Sequence, residues 1–308
     1  FNQSPNIRKR ETDYPINEED SEIEVANFNG VGGGTILYSG HFPRMKPSDF
    51  SVKSLDGVGE DWPISYKTLE PYFAQNDINM GVSGLKGDPA IPEHELPLPP
   101  IAMGRMGEVI GQGFNKLGWH WWPSDSYQAS EDYKGRVGWN NHGTFASKKK
   151  WQSIASTDHT YINPAIKNGL EVRANCAVQS ISVDNSGKLK GVVYVDDKGV
   201  QYFQEAGKVI VACNGIGTPR LLLNSKSKAF PEGLANSSGL VGKNLMFHPY
   251  AAVSGIFDED DLNYSLGPLA NIIIVQEFYE TDEFYNELNQ FKKTYLCGVC
   301  RDKERLDS

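Results

Sequence analysis

Cysteine is scarce in this chain. Four residues in 308 (Cys176, Cys213, Cys297, Cys300) are too few for a disulfide framework at this size. Cys297 and Cys300 make one CxxC with no second pair and no redox-type βαβ pattern around it, so zinc is set aside and all four read as ordinary thiols. No apolar run reaches about 18 residues, which excludes a membrane-spanning helix. The opening residues, FNQSPNIRKRETDYP, lack the apolar core of a signal peptide. They begin with Phe rather than Met, which reads as a processed chain or a fragment. Positive charge is in deficit: the net charge is −9 and the basic run Lys148-Lys149-Lys150 is short, so no nucleic-acid surface is expected. A soluble protein, cytoplasmic or periplasmic, is the expectation. Neither GxGxxG nor GxxxxGK[ST] occurs, so the two common phosphate-binding signatures are missing.

What remains is ordinary globular composition, 39% hydrophobic and 22% charged, in a length suited to two domains or to one with a subdomain. The most informative stretch is FNGVGGGTILYSGHFPRMKPSDF, Phe28 to Phe50. Gly30, Gly32, Gly33 and Gly34 fall within five residues and are followed by Thr35. Backbone without Cβ atoms lets amides crowd against a ligand or take positive φ, and amides grouped this way form a donor site for an anion or a polar ring edge. A tight turn between a loop and a strand is the alternative.

Residues 1–27 are polar and acidic and read as an extended lead-in. Ser65 caps a helix predicted over Tyr66 to about Asn76, with Leu69, Tyr72 and Phe73 on one face. The proline-dense DPAIPEHELPLPP predicts an extended surface loop. Gly104 to Leu117 is helical in pattern, with Val109, Ile110, Phe114 and Leu117 apolar. GWHWWP, Gly118 to Pro123, reads as a core-filling strand before a substrate wall, and His120 as a hydrogen-bonded core histidine. Ser156-Thr157-Asp158-His159 precedes a helix through about Lys167 that Asn168-Gly169 ends. Strands are predicted at 170–174, 178–183, 189–195 and 200–204, with turns at Asp184–Gly187 and Asp196–Gly199.

Val209-Ile210-Val211-Ala212 reads as a strand buried on both faces. Cys213 to Gly217 follows as a sharp turn. A helix capped by Thr218, with Pro219 at its first position, comes next. Strand, glycine turn and capped helix make a crevice of the kind in which open α/β sheets bind cofactors, though a plain βα connection fits too. Beyond them, 251–257 and 271–278 are patterned as sheet strands.

Three segments, VGGGTILYSGHFPR, VIVACNGIGTPRLLLNS and GLVGKNLMFHP, resemble in order and spacing the signatures of the glucose–methanol–choline family of flavin-dependent oxidoreductases. DWPISYKTLEPYF, GVSGLKGD and the meander at 170–204 are similar to that family as well. The resemblance implies an α/β chain with α+β elements: a partial FAD-binding Rossmann-like domain with a β-meander, plus part of an antiparallel-sheet substrate domain. It implies four segments. Residues 1–50 carry the flavin loop, 51–160 a helical lid and substrate-side insertion, 161–248 the rest of the FAD-binding domain, and 249–308 the start of the substrate domain.

The resemblance further implies FAD and oxidation of an alcohol, sugar or polyol by hydride transfer to flavin N5. Gly33, Gly34, Thr35, Tyr38 and Ser39 would line the pyrophosphate and isoalloxazine. Val178 would sit against the adenine, and Asn214 and Gly215 would close the crevice. His41 is a weaker candidate for flavin contact. Ile36 and Leu37 stand where relatives with covalent flavin carry a histidine, so a non-covalent flavin is expected. The family's GxGxxG unit and its histidine-bearing catalytic segment are absent from this chain, so the base lies outside it, and His248 reads as structural. The implied partners are a small alcohol or sugar and an electron acceptor. The other reading is a truncated, non-catalytic remnant or a partner-binding chain.

Overall fold

In this computed structural model the described residues are 19–21, 28–41, 43–139, 153–247, 253, 255, 262, 267–268, 272–279 and 296–297. Most of the expected lead-in, Lys148–Lys150, His248, most of the 251–257 strand and Cys300 lie outside them. In chain order the helices are α1 (Val52–Asp56), α2 (Tyr66–Met80), α3 (Gly104–Leu117), α4 (Asn163–Lys167) and α5 (Asn214–Asn224). The strands are β1 (Trp121–Pro123), β2 (Ala177–Val183), β3 (Leu189–Val195), β4 (Gln201–Glu205), β5 (Ile273–Val275) and β6 (Leu296–Cys297). Two compact units form: 1–170 with 257–308, and 171–256. Of the expected segments, 1–50, 51–160 and most of 249–308 fall in the first, and most of 161–248 in the second.

In the first unit, α2 begins as its sequence predicts. The Ser65 hydroxyl accepts the Thr68 N–H at 3.3 Å, and Gly81 at φ 67 closes the far end. The helix runs to Met80, one turn past the expected Asn76, and Tyr72 is 70% exposed rather than inward. The buried line is Tyr66, Asp77 and Met80, with Phe73 against Tyr66 at 5.8 Å. An apolar count misses it because one inward position is a carboxylate, Asp77, paired with Arg44.

Helix α3 matches its predicted limits, but its inner face is cut by glycine. Gly107 and Gly111 are buried, whereas Leu117, expected inside, is 61% exposed. A Cβ at Gly107 would lie 2.7 Å from Ile272 Cγ2, and one at Gly111 would lie 2.7 Å from Trp121 Cζ2. The helix therefore lies close on β1 and β5. Met103, Met106, Ile110, Phe114, Trp119 and Trp121 pack on Ile272, Ile273 and Val275. Gly111→Val is expected to cost about 1–3 kcal/mol by overpacking. Gly113→Val, whose Cβ would meet nothing within 4 Å, serves as the control. Urea denaturation of the two variants measures the difference.

GWHWWP behaves as the strand-like reading expects: β1 pairs antiparallel with β5, with Trp122 opposite Ile274. Trp119 stacks on Phe114 and meets Phe278 edge-on at 4.8 Å. The 271–278 strand shortens to Ile273–Val275, followed by a turn. The proline-dense crossing is not wholly a surface loop, because Leu96 and Leu98 are buried. Leu96 joins Met80, Val82, Tyr127 and Ala155 in one core cluster. The prolines deny a regular ladder but still hold the chain extended, so alternate side chains turn inward, and Leu98 N–H reaches Val82 O at 3.2 Å. Arg136 donates to the carbonyls of Met80 (2.5 Å), Ser153 (3.1 Å) and Tyr127 (3.2 Å), tying the end of α2 to this core.

The second unit is the predicted meander with a helix on it. β2, β3 and β4 pair antiparallel in sequence order. Asp184 Oδ1 accepts the Ser186 and Lys188 amides, and Asp196 Oδ1 accepts those of Lys198 and Val200. Each side chain imitates a backbone turn and fixes its hairpin. Helix α5 lies on β2: Leu221 and Ile181 are both buried, and Ser225 Oγ accepts the Ile181 N–H while donating to Leu221 O.

Three expectations fail in this unit. No strand forms at 170–174. None forms at Val209–Ala212 either, where Ile210 is 93% exposed. A strand exists only through a neighbour's amides and carbonyls, and among the described residues no strand runs beside 208–213. The third concerns α5, which starts at Asn214 rather than after Thr218, so Pro219 lies inside it. Asn214, at φ 61, is the first helical residue, and its Oδ1 accepts the Ile216 and Gly217 amides at 2.8 and 3.0 Å.

Candidate functional site

The first glycine stretch folds as a single 3-10 turn, Gly33–Ile36, entered through two consecutive left-handed residues, Gly32 at φ 97 and Gly33 at φ 57. Only glycine adopts that pair without strain. The two sides of the turn differ. Gly32 is buried, and a Cβ there would lie 2.7 Å from Ile36 Cδ1 and 3.2 Å from Asp158 Cβ. Gly33 and Gly34 are exposed, and a Cβ on either would meet nothing within 4 Å. The turn therefore presents bare, open backbone on one face, with the Gly33 N–H turned inward to Gly30 O at 2.9 Å. Backbone without side chains at Gly33 and Gly34 leaves room for the close approach of a diphosphate or polar ring edge such as those of FAD, which these residues fit.

The neighbouring predicted residues are partly engaged within the protein. Thr35 Oγ1 donates to Gly32 O at 2.6 Å and accepts the Thr157 N–H at 3.0 Å. The Tyr38 ring packs on Tyr127 and the core, its hydroxyl donates to Ala155 O at 2.6 Å, and burial pushes that hydroxyl well above its usual range. Ser39 is half-buried beside Gly40, whose carbonyl accepts the Tyr127 N–H at 2.7 Å. His41 bridges Ser126 through the backbone, with its Nδ1 2.7 Å from Ser124 Oγ. Burial pushes the His41 ring down to about 4, only partly offset by its hydrogen bond to the Asp125 backbone, so it is neutral at pH 7.

Next to His41 lies a polar cluster that sequence reasoning missed. Arg44 and Asp77 form a buried ion pair, with Arg44 Nε 2.9 Å from Asp77 Oδ2. Burial pushes the Asp77 carboxyl up and the Arg44 contact pulls it back. His120 Nε2 lies 2.8 Å from Asp88 Oδ1, as expected of a core histidine. Asp125 is pushed up to about 7, first by burial and then by the charges of Asp77 and Asp88, against the pull of Arg44. No motif marks these residues. The one pointer is that Arg44 stands in the polar, basic exit from the glycine stretch, His41 to Lys46.

The raised carboxyl has a pH consequence. An aspartate is ionised above about pH 4 when unfolded, whereas Asp125 stays protonated in the fold until about 7. Its contribution to stability is complete below pH 4 and is lost as pH rises through 7. His41 works the other way, its contribution falling as pH drops from about 6.5 toward 4. Asp125→Asn is therefore expected to melt several degrees above wild type at pH 8, with the gap closing as pH falls. Melting curves of both proteins from pH 4 to 8 check this, and a gap constant with pH would contradict it.

Val178, Asn214 and Gly215 belong to the other unit. Val178 is 40% exposed on β2, opposite Tyr194. Asn214 and Gly215 form the exposed start of α5, and a Cβ at Gly215 would touch only Leu245 Cδ1, at 3.8 Å. Among the described residues no group of His, Cys, Asp or Glu is arranged to hold a metal, and no helix is long and apolar enough to cross a membrane.

Comparison with known proteins gives the family of the chain. Residues 21–250 match the family model for GMC oxidoreductase. The chain is 37% identical over 292 residues to a 2-methyl-1,2-propanediol dehydrogenase from Mycolicibacterium austroafricanum, covering 93% of this chain and 52% of that protein. It is 30% identical over 243 residues to the fructose dehydrogenase large subunit of Gluconobacter japonicus, covering 73% and 42%. A solved FAD-dependent oxidoreductase from Chaetomium thermophilum aligns with 66% of this chain and 35% of its own, at 17% identity and TM-score 0.46. The chain spans about half the length of the curated relatives it matches. With the family model covering most of its length, the chain belongs to the GMC oxidoreductase family.

Proposed function

We propose that this chain is the flavin-side part of an oxidoreductase that takes the CH–OH group of a small alcohol, polyol or sugar to the carbonyl. The observation that carries it is the bare backbone face at Gly33 and Gly34, buttressed from behind through Gly32. FAD, when bound, supplies the acceptor for the carbinol hydride. Gly34 offers bare, exposed backbone, the Gly33 N–H being turned inward to Gly30 O at 2.9 Å, and Thr35 keeps the turn shut from within. Asn214 and Gly215 offer an exposed backbone corner within the unit of residues 171–256. The flavin is held non-covalently, since Ile36 and Leu37 give no nucleophile for a ring linkage.

The substrate class follows the relatives: one is named for a branched diol, one for fructose, and a third, 26% identical and from Streptomyces fradiae, for the 6'-position of paromamine. A small polyhydroxylated or branched alcohol is common to that range. Val178 against the adenine completes the assignment on β2. The test is the protein purified from its whole reading frame. It is expected to be yellow, with flavin bands that bleach anaerobically on adding a diol or sugar alcohol. A colourless preparation that takes up no FAD on reconstitution overturns the reading.

A second reading, a chain without catalysis of its own that works by binding another polypeptide, is favoured by one observation: the apolar run around Ile210 lies open. Thermal melting with and without FAD separates the two. Binding to the folded state alone raises the midpoint, by about 2.7 kcal/mol of stability at a hundredfold excess over Kd.

A further inference from the structure

The glycine turn is locked from one side, and the lock comes from a segment far away in sequence. Gly32 O receives two hydroxyls, Thr35 Oγ1 at 2.6 Å and Thr157 Oγ1 at 2.8 Å. The two hydroxyl oxygens lie 3.1 Å apart, and Thr35 Oγ1 accepts the Thr157 backbone N–H at 3.0 Å. Each hydroxyl has one hydrogen, and both can point at the same carbonyl, which has two lone pairs. The knot is then satisfied at every atom, with Thr157 contributing through both its side chain and its backbone.

Thr157 sits at the head of a helical stretch whose first turn, Asp158–Ile162, is π-helical, a wide turn found often beside functional sites. That stretch brings Asp158 Cβ against Gly32 and leaves no room for a side chain there. Ser156 Oγ is hydrogen-bonded to Asp158, and the His159 and Thr160 amides both reach Ser156 O, so the stretch is itself held. We propose that Thr157 is a positioning residue for the flavin turn. It pins the Gly32 carbonyl inward, and with it the left-handed pair Gly32–Gly33, so that the open faces of Gly33 and Gly34 stay turned outward. This rests on the flavin reading above and adds to it the group that sets the turn's conformation.

The test compares Thr157→Val, which keeps the volume and removes the hydroxyl, with Thr157→Ser, which keeps the hydroxyl. Hydrogen exchange at amides 33–36 of the chain without cofactor is expected to quicken roughly three- to tenfold in Thr157→Val, the size of one lost hydrogen bond, and to return in Thr157→Ser. In the full-length protein, FAD Kd should weaken by a similar roughly threefold to tenfold factor and the visible flavin bands should shift in Thr157→Val alone. Wild-type exchange in Thr157→Val, or equal effects of both substitutions, overturns the clasp. Faster exchange with unchanged Kd and bands overturns its role toward the flavin. If the wild-type protein takes up no FAD, the flavin reading fails by itself, and the exchange comparison alone decides whether the hydroxyl sets the turn.

Discussion

Asp77→Ala is expected to remove about 3–5 kcal/mol of stability from the unit formed by residues 1–170 and 257–308, enough to unfold much of it at 37 °C. The side chains of Arg44 and Asp77 are 5% and 7% exposed, and the guanidinium reaches the carboxylate through both Nε and Nη2. Among the described residues its other side-chain partners are the Tyr66 hydroxyl, at 3.5 Å from Nη1, and the Phe73 ring, 6.0 Å from the guanidinium carbon. Alanine would leave a charged guanidinium out of water with those two weak contacts. Asp125 lies near enough to be felt by Arg44, but burial, the largest cause of its raised pKa, would still oppose its ionisation once the Asp77 charge is gone. The loss therefore reflects an unpaired buried charge, not the net worth of the pair. The double substitution Arg44→Met with Asp77→Leu separates the two, since replacing a buried pair by apolar groups of similar size is often neutral or better. Chemical denaturation of both variants measures it. A single variant within about 1 kcal/mol of wild type would show that water reaches the guanidinium.

That ion pair also shows where the sequence was readable and where it was not. Helix α2 was legible at its start because Ser65 announces a cap, and its whole length was hidden because Asp77, an inward residue, breaks the apolar stripe. Helix α3 was legible in its limits and misread in its face, since the buried positions Gly107 and Gly111 carry no hydrophobic signal. Their meaning appears only when Ile272 and Trp121 are known to lie against them. The meander at 177–205 was read almost residue by residue, because alternation and Asp-initiated turns are local properties. Val209–Ala212 is the opposite case. Its apolar run specifies burial on two sides, and burial depends on partners, which the described residues do not provide. The glycine turn was legible as a site, but its anchor was not. Thr157 lies 122 residues from Thr35, in a polar stretch with no motif to connect them. Arg44, Asp77 and Asp125 escaped for the same reason: their pairing is long-range, and each alone reads as a surface charge.

Gly34→Val is expected to abolish flavin retention while leaving the fold intact. The position is exposed, an added Cβ meets nothing within 4 Å, and Gly34 is outside the left-handed region, so neither strain nor collision opposes the side chain in the empty protein. The melting temperature of the cofactor-free chain should therefore move little. If the face is where FAD is seated, two added methyl groups occupy the space its polar groups need. They also hold the turn's amides away by more than a hydrogen-bond length, so affinity should fall at least about a hundredfold, the cost of two or more hydrogen bonds lost together. Gly32→Ala gives the contrast. Its Cβ would collide with Ile36 and Asp158 at φ 97, so fold and flavin binding should fail together. Gly113→Val, on the open side of α3, should change neither beyond the small helix-propensity term. FAD titration by flavin fluorescence, run beside melting curves on all three variants, reads both quantities at once. Wild-type affinity in Gly34→Val would move the cofactor away from this turn, and the clasp that Thr35 and Thr157 close behind it would then be only a brace between two distant parts of the chain.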